Sequence, residues 1–353
     1  MSDASASSEL AVLRILDACA NRASEGLRTM EEFARFVLED RHLCELAKQL
    51  RHDLQAAVGT IAWTDRLQSR AVLSDCGTTL ETAGEHHRPD AEAVLKAAIG
   101  RLQESLRCLE EYGKTIAGFD ARLIESVRYR TYTLAAALGL TASRVTRLGQ
   151  ARLYLLLPSD RDTGRFATRV EALFIAGVDV IQLRDKQATD RQLYQCAKVA
   201  AEIARRLGKW FIINDRVDIA AAVHASGVHL GQEELPTEAA RRVLGSDCLI
   251  GVSTHSIEQA RSAVLEGADY IGCGPTFPST TKAFDAFPGL AFLREVTAEI
   301  SLPAFAIGGI DERTLAAVLE TRIHGIAVAS AVLDAADECQ AATRLRHRLT
   351  PLS

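Results

Sequence analysis

Between Leu153 and Ala329 the chain repeats one unit eight times, a short and nearly continuous apolar run followed by a helical stretch. The runs are Leu153–Leu157, Val178–Leu183, Trp210–Asn214, Val228–Leu230, Leu249–Ser253, Tyr270–Gly274, Ala304–Gly308 and Gly325–Ala329. Amphipathic segments such as Arg191–Leu207, Thr237–Leu244, Ile257–Glu266 and Glu312–Glu320 lie between them. Strands that are apolar throughout are covered on both faces, and strands separated by helices run parallel. Eight such units predict an α/β fold closed into a (β/α)8 (TIM) barrel. A doubly wound open sheet is the alternative, but no Gly-x-Gly-x-x-Gly turn follows the first strand.

The first part of the chain has a different period. From about Glu9 to Leu140, apolar residues recur every three or four positions: Leu10, Leu13, Leu16, Ala20, Ala23 and Leu27, then Leu43, Leu46, Leu50 and Leu54. That spacing is helical, so a separate all-α domain is predicted ahead of the barrel. Ser69 to Pro89 reads as a long loop. Helices resume behind an Asp90 N-cap and run through Glu111, and another spans Asp120 to Leu138. The expected organisation is a disordered polar tail (1–8), a helical domain (9–140), a short basic linker (141–150) and the barrel (151–353). A length of 353 residues agrees with two domains.

The helical half contains an internal echo. Asn21 to Arg35 resembles Gly100 to Lys114, with Arg22 and Arg101, Glu25 and Glu104, Arg28 and Arg107, and Glu31 and Glu110 in register. Spacings of three put Arg22, Glu25 and Arg28 on one helix face. Two readings stand: a duplicated helical element with surface ion pairs, or a polar site shared by two pseudo-symmetric helices, with no ligand indicated.

Bulk composition narrows the function. A net charge of −5 argues against a nucleic-acid partner. The eight cysteines include no Cys-x-x-Cys pair, against a zinc site or redox motif and in favour of a reducing cytoplasm. The opening residues lack the cationic and apolar regions of a signal peptide, and no apolar run is long enough to span a membrane.

In a parallel barrel the residues just beyond the C-terminal strand ends share one mouth. Strand two ends in Gln182-Leu-Arg-Asp-Lys186, whose period of two directs Gln182, Arg184 and Lys186 the same way. Two cations and an amide suit an anionic substrate, although Arg184 could equally pair with a nearby carboxylate. Asn214 and Asp215 end strand three, and Glu234 follows strand four. Asp215 and Glu234 offer the hard oxygen ligands that Mg²⁺ takes together with phosphate and water, while capping of the next helix is the other use of Asp215. Ser253 ends strand five and can donate to a phosphate. His255 reads more readily as a loop residue than as a general base, and His229 as a satisfied interior group. The loop from Gly274 to Lys282 supplies hydroxyls and a cation. Gly308 and Gly309 after strand seven, with Ala329 and Ser330 after strand eight, form a backbone phosphate site. Two phosphate sites at one mouth suggest the joining of two phosphorylated substrates.

These motifs together resemble thiamine-phosphate synthase over residues about 151 to 345: Gln182-Leu-Arg-x-Lys186, Asn214-Asp-Arg-Val217, His229-Leu-Gly-Gln-Glu233, Gly251-Val-Ser253, Gly272-x-Gly-Pro-x-Phe-Pro-x-x-Thr-Lys282 and Ile307-Gly-Gly-Ile310. The resemblance implies condensation of 4-amino-2-methyl-5-hydroxymethylpyrimidine diphosphate with a 4-methyl-5-(2-phosphoethyl)thiazole or its carboxylate form. Products are thiamine monophosphate and pyrophosphate, the pyrophosphate leaving first to give a pyrimidinyl-methyl cation. It further implies that Gln182, Arg184, Lys186, Asn214, Ser253 and Lys282 bind the pyrimidine diphosphate, with Arg184, Lys282 and Ser253 catalytic. Asp215 and Glu234 would hold Mg²⁺. Ser279, Thr280, Thr281, Gly309, Ala329 and Ser330 would bind the thiazole phosphate. Glu234 stands where the family usually has Asp, and Ser279 where Thr is usual. The helical half resembles the N-terminal extension of cyanobacterial-type members, for which the family implies no activity; an interaction or homo-oligomerisation module is one reading. A non-catalytic thiamine-binding relative and an epimerase on a single sugar phosphate are the competing barrel functions. Intact Arg184, Lys186, Asp215 and Lys282 oppose the first, and the lack of a clear acid/base pair opposes the second.

Overall fold

A computed structural model of the chain describes residues 3–70, 87–278 and 287–349. The chain divides into two compact units, Met1–Gly139 and Leu140–Ser353.

The first unit is helical: α1 (Asp3–Phe36), α2 (Arg41–Val58), α3 (Trp63–Ser69), α4 (Ala91–Gly113) and the greater part of α5 (Ala121–Leu148). Helix α1 begins inside the stretch expected to be disordered. That stretch has no proline or glycine, and an aspartate at a helix start is favoured by the macrodipole. The carboxylates of Asp40 and Asp90 cap α2 and α4, accepting from Leu43 N–H and Ala93 N–H at 2.8 Å each. Leu16, Leu27, Met30, Leu43, Leu102, Leu106 and Leu109 are buried in its core. Helices α1 and α4 cross closely at Gly26, where a Cβ would stand 2.8 Å from that of Leu102.

The sequence echo is built into this unit, with different partners from those expected. Arg28 pairs with Glu31 and Glu32, and Arg51 of α2 reaches Glu31 at 3.1 Å. In the second copy Arg107 pairs with Glu110 and Glu111, and Arg128 of α5 reaches Glu110 at 2.8 Å. Each long helix thus ties to its following helix through one glutamate held between two arginines.

In the second unit β1 (Leu153–Leu157), β2 (Val180–Leu183), β3 (Trp210–Asn214), β4 (Gly227–Leu230), β5 (Leu249–Thr254), β6 (Tyr270–Cys273), β7 (Ala304–Ile307) and β8 (Gly325–Val328) form a closed barrel. Every neighbouring pair is parallel, including the closing pair, in which Leu153 is opposite Ile326. Helices α6 (Thr163–Ile175) to α14 (Glu338–Arg348) alternate with the strands.

Residues 141–148, expected to be linker, are the last turns of α5. Thr141, Arg144 and Leu148 recur at helical spacing and are buried. Arg144 Nε donates to Asp269 Oδ1 at 2.7 Å, and its Nη2 to the Gly267 carbonyl at 2.8 Å. Leu148 packs with Tyr154, Val180, Ile212, Leu249, Tyr270, Phe305 and Ala327, the core of the lower barrel. Inside the barrel the rings of Tyr154 and Tyr270 lie 5.9 Å apart, edge to face. Gly251 of β5 admits the Tyr270 ring, since a Cβ there would stand 2.1 Å from its Cζ.

Candidate active site

Side chains at the C-terminal ends of the strands surround a cavity of about 580 Å³. Gln182, Arg184 and Lys186 all line it. Asp185, out of phase with them, braces its own loop by accepting from Ser159 Oγ at 2.7 Å and from Gln187 N–H at 2.9 Å. Neither Arg184 nor Lys186 forms a salt bridge among the described residues, so both charges remain available to the cavity.

Asp215 also lines the cavity. Its backbone is left-handed, with φ of 59°, and its N–H donates to the His229 carbonyl at 2.9 Å. Its carboxylate accepts from Asn214 Nδ2 at 2.6 Å and does not cap α8 (Val217–Val223), whose first turn has no side-chain cap. Burial raises the Asp215 pKa, against the opposing influence of Lys186, the Asn214 hydrogen bond and Arg184. A desolvated carboxylate near two cations that form no salt bridge among the described residues suits a site that receives further charge. Glu234 lies on the exposed turn after β4 and lines the same cavity. Among the described residues no three or more His, Cys, Asp or Glu side chains gather into a metal cage. Asp215 and Glu234 both line the cavity, and two carboxylates would fit a cation that completes its shell with phosphate and water.

At the end of β5 Ser253 Oγ lies 3.0 Å from His229 Nε2. His229 is satisfied in the interior, as expected, yet it also touches the cavity. His255 Nδ1 donates to the Gly274 carbonyl at 2.5 Å and so ties the β5 loop to the β6 loop. Across the mouth, Gly308 and Gly309 have φ of +98° and +62°. That backbone lets Ile307 and Gly308 accept from Thr276 N–H at 2.8 Å and Phe277 N–H at 3.0 Å. A Cβ on Gly309 would lie 2.6 Å from the Pro278 carbonyl oxygen, so these glycines hold the β6 loop as well as opening the cavity floor. Gly309, Ala329 and Ser330 line the cavity on this side.

Asn214 is in the cavity lining too, so ten of the residues selected from sequence share one space: Gln182, Arg184, Lys186, Asn214, Asp215, Glu234, Ser253, Gly309, Ala329 and Ser330. Ser279, Thr280, Thr281 and Lys282 lie outside the described residues. Sequence reasoning passed over Tyr154 and Tyr270, whose hydroxyls hydrogen-bond beneath the cavity. The signal was there: a buried tyrosine in an apolar strand needs a partner for its hydroxyl.

A closed parallel barrel with a polar cavity at the carboxyl ends of its strands defines a (β/α)8-barrel enzyme. Residues 153–332 match the family described as Thiamine monophosphate synthase, and residues 14–137 the ThiD2 family. A thiamine-phosphate synthase of Rhodopirellula baltica is 49% identical over 91% of this chain and 88% of its own length. One from Synechocystis is 41% identical over 98% of both chains. Among solved structures, a thiamine phosphate pyrophosphorylase from Pyrococcus furiosus superposes with a TM-score of 0.50 at 36% identity, covering 56% of this chain and 95% of that one. The chain belongs to the thiamine-phosphate synthase family, with an additional N-terminal helical unit. Among the described residues no helix is long and apolar enough to cross a membrane.

Proposed function

We propose that the barrel mouth condenses 4-amino-2-methyl-5-hydroxymethylpyrimidine diphosphate with a thiazole phosphate, releasing pyrophosphate and thiamine monophosphate. The observation that carries this reading is the shared cavity: Arg184, Lys186, Asp215 and Glu234 on one side, Gly309, Ala329 and Ser330 on the other.

Arg184 and Lys186 bind the diphosphate; among the described residues neither is held in a salt bridge. As the bond from carbon to the bridging oxygen breaks, negative charge grows on the leaving pyrophosphate, and fixed cations already aimed there lower the barrier. Lys282 adds a third, by its place in the family motif. Gln182, Asn214 and Ser253 orient the pyrimidine half. The thiazole phosphate is held by the backbone around Gly309, Ala329 and Ser330 and by the hydroxyls of Ser279, Thr280 and Thr281. This leaves the thiazole nitrogen to capture the pyrimidinyl-methyl cation. No protein nucleophile is required, consistent with Ser253 facing a buried histidine whose pKa is lowered to about 4 and which is therefore a weak base. Asp215 and Glu234 would hold Mg²⁺, which when bound supplies further positive charge to the diphosphate oxygens.

The test is pyrophosphate release by the full chain. It is expected only when both substrates are present and to fall to background in excess chelator. Release with one substrate alone, or full turnover in chelator, would refute the two-substrate or the metal part of this reading respectively.

A further inference from the structure

Five side chains from five strands form one hydrogen-bonded chain beneath the cavity. Gln182 Nε2 of β2 donates to Tyr154 Oη of β1 at 2.8 Å. Tyr154 Oη is 2.9 Å from Tyr270 Oη of β6, and Tyr270 Oη is 3.2 Å from His229 Nδ1 of β4. His229 Nε2 is 3.0 Å from Ser253 Oγ of β5. Gln182, Tyr154 and Tyr270 are each 2% exposed, so an unmatched proton among them is costly.

Counting protons gives this chain a direction. With Gln182 presenting its nitrogen, Tyr154 accepts from Gln182 and donates to Tyr270. Tyr270 then donates to His229 Nδ1, which leaves the imidazole proton on Nε2 to donate to Ser253. Every proton shared between two of these side chains then has an acceptor. Were the chain to run inward from Ser253, Tyr154 would accept from both Gln182 and Tyr270, and its own proton would have no acceptor among the described residues. Only a reversed Gln182 amide could relieve that arrangement. A doubly protonated imidazole fails the same count, because its Nδ1 proton would fill Tyr270 Oη and leave one tyrosine proton without an acceptor, so a single tautomer has to be chosen.

We propose that Tyr154, Tyr270 and His229 are positioning residues that fix His229 as the Nε2–H tautomer and thereby commit the Ser253 hydroxyl as a hydrogen-bond donor to an acceptor atom of the pyrimidine diphosphate. The inference rests on the two-substrate reading above for the identity of that ligand. Because Ser253 Oγ is occupied as an acceptor by His229, its one proton is turned to the cavity it lines.

The direct test is ¹⁵N nuclear magnetic resonance of the histidine rings in the full-length protein, with His229 assigned by the loss of its signals in His229→Gln. The expected spectrum has Nε2 protonated and Nδ1 bare; a proton on Nδ1, or averaging between the two, overturns the proposal. The second test is a cycle of Tyr270→Phe and Ser253→Ala, read as kcat/KM for the pyrimidine diphosphate. Tyr270→Phe should cost about tenfold in the parent chain, the worth of one neutral hydrogen bond, and under about twofold when Ser253 is already alanine. An equal loss in both backgrounds would make Tyr270 a packing residue and refute the relay. The spectrum needs no turnover, so an absence of pyrophosphate release in the parent chain would defeat the catalytic reading while the tautomer still decides this one.

Discussion

At the scale of single residues the site trades stability for charge. Asp215 is half-buried, left-handed in backbone and raised in pKa by burial. The raised folded value means that ionised Asp215 opposes folding. The penalty is absent below the unfolded pKa of about 3.9 and is fully present once the pH exceeds the folded value. Asp215→Asn keeps the side-chain shape, tolerates φ above zero and removes the charge. In metal-free buffer at pH 7 it is expected to raise Tm, with the gain shrinking toward pH 3.5, and in Mg²⁺-containing buffer to abolish the pyrophosphate release that the parent chain shows. A lower Tm at pH 7 would show that Lys186 and Arg184 more than repay the burial. For Lys282 the expectation is kinetic. Lys282→Ala should lower kcat by about 10²–10³-fold, on the order of 3–4 kcal/mol of transition-state stabilisation, with unchanged circular dichroism. Parent-like turnover in that variant would remove Lys282 from the chemistry.

At the scale of elements, all eight strands were legible as apolar runs, and Arg184, Asp215, Ser253 and Gly309 could be expected to line one cavity, as they do, because residues at the strand ends of a parallel barrel share a mouth. Two things were not legible. The end of α5 was hidden because one of its buried positions is an arginine, which reads as solvated until Asp269 is brought to it from 125 residues away. The partners of the echoed motif were hidden for the same reason. Glu31 and Glu110 look like surface members of a polar face, yet they are 7% and 4% exposed and meet Arg51 and Arg128 from the next helix in each copy. Burial alone would raise the Glu110 pKa, but hydrogen bonding and charge from Arg128 and Arg107 hold it below the usual carboxylate range. A depressed value contributes stability above the unfolded pKa of about 4.3 and loses it as pH falls through the folded one. Glu110→Gln leaves Arg128 buried without a counter-charge and should cost about 3 kcal/mol. Hydrogen exchange should then speed up in α4 and α5 and remain unchanged in the barrel strands. Unaltered protection in α4 would mean that the Arg128 contacts with Tyr129 and Tyr132 suffice.

At the scale of the whole molecule, the point where the chain divides decides which truncation is meaningful. Composition placed a linker at 141–150. The structure divides the chain at Gly139 and gives the last turns of α5 to the second unit, where Arg144 meets Asp269 and Leu148 enters the lower barrel core. A protein starting at Leu140 retains these contacts; one starting at Gly149 loses them and uncovers the apolar floor formed by Val180, Ile212 and Leu249. Asp269 would still pair with Arg241 at 2.5 Å, so the loss falls mainly on packing, where removing a large buried side chain typically costs about 2–5 kcal/mol. The groups proposed to act in catalysis all belong to the second unit, and Tyr154 and Tyr270 of the relay pack with Leu148. Residues 140–353 are therefore expected to fold and to release pyrophosphate with kcat within about twofold of the full chain, whereas residues 149–353 should melt lower or aggregate. Two measurements separate the alternatives: thermal unfolding of each fragment and its steady-state turnover on both substrates. A 140–353 fragment that is folded but inactive would assign the helical unit a part in the reaction, and would turn its paired glutamates from structural ties into candidates for that part.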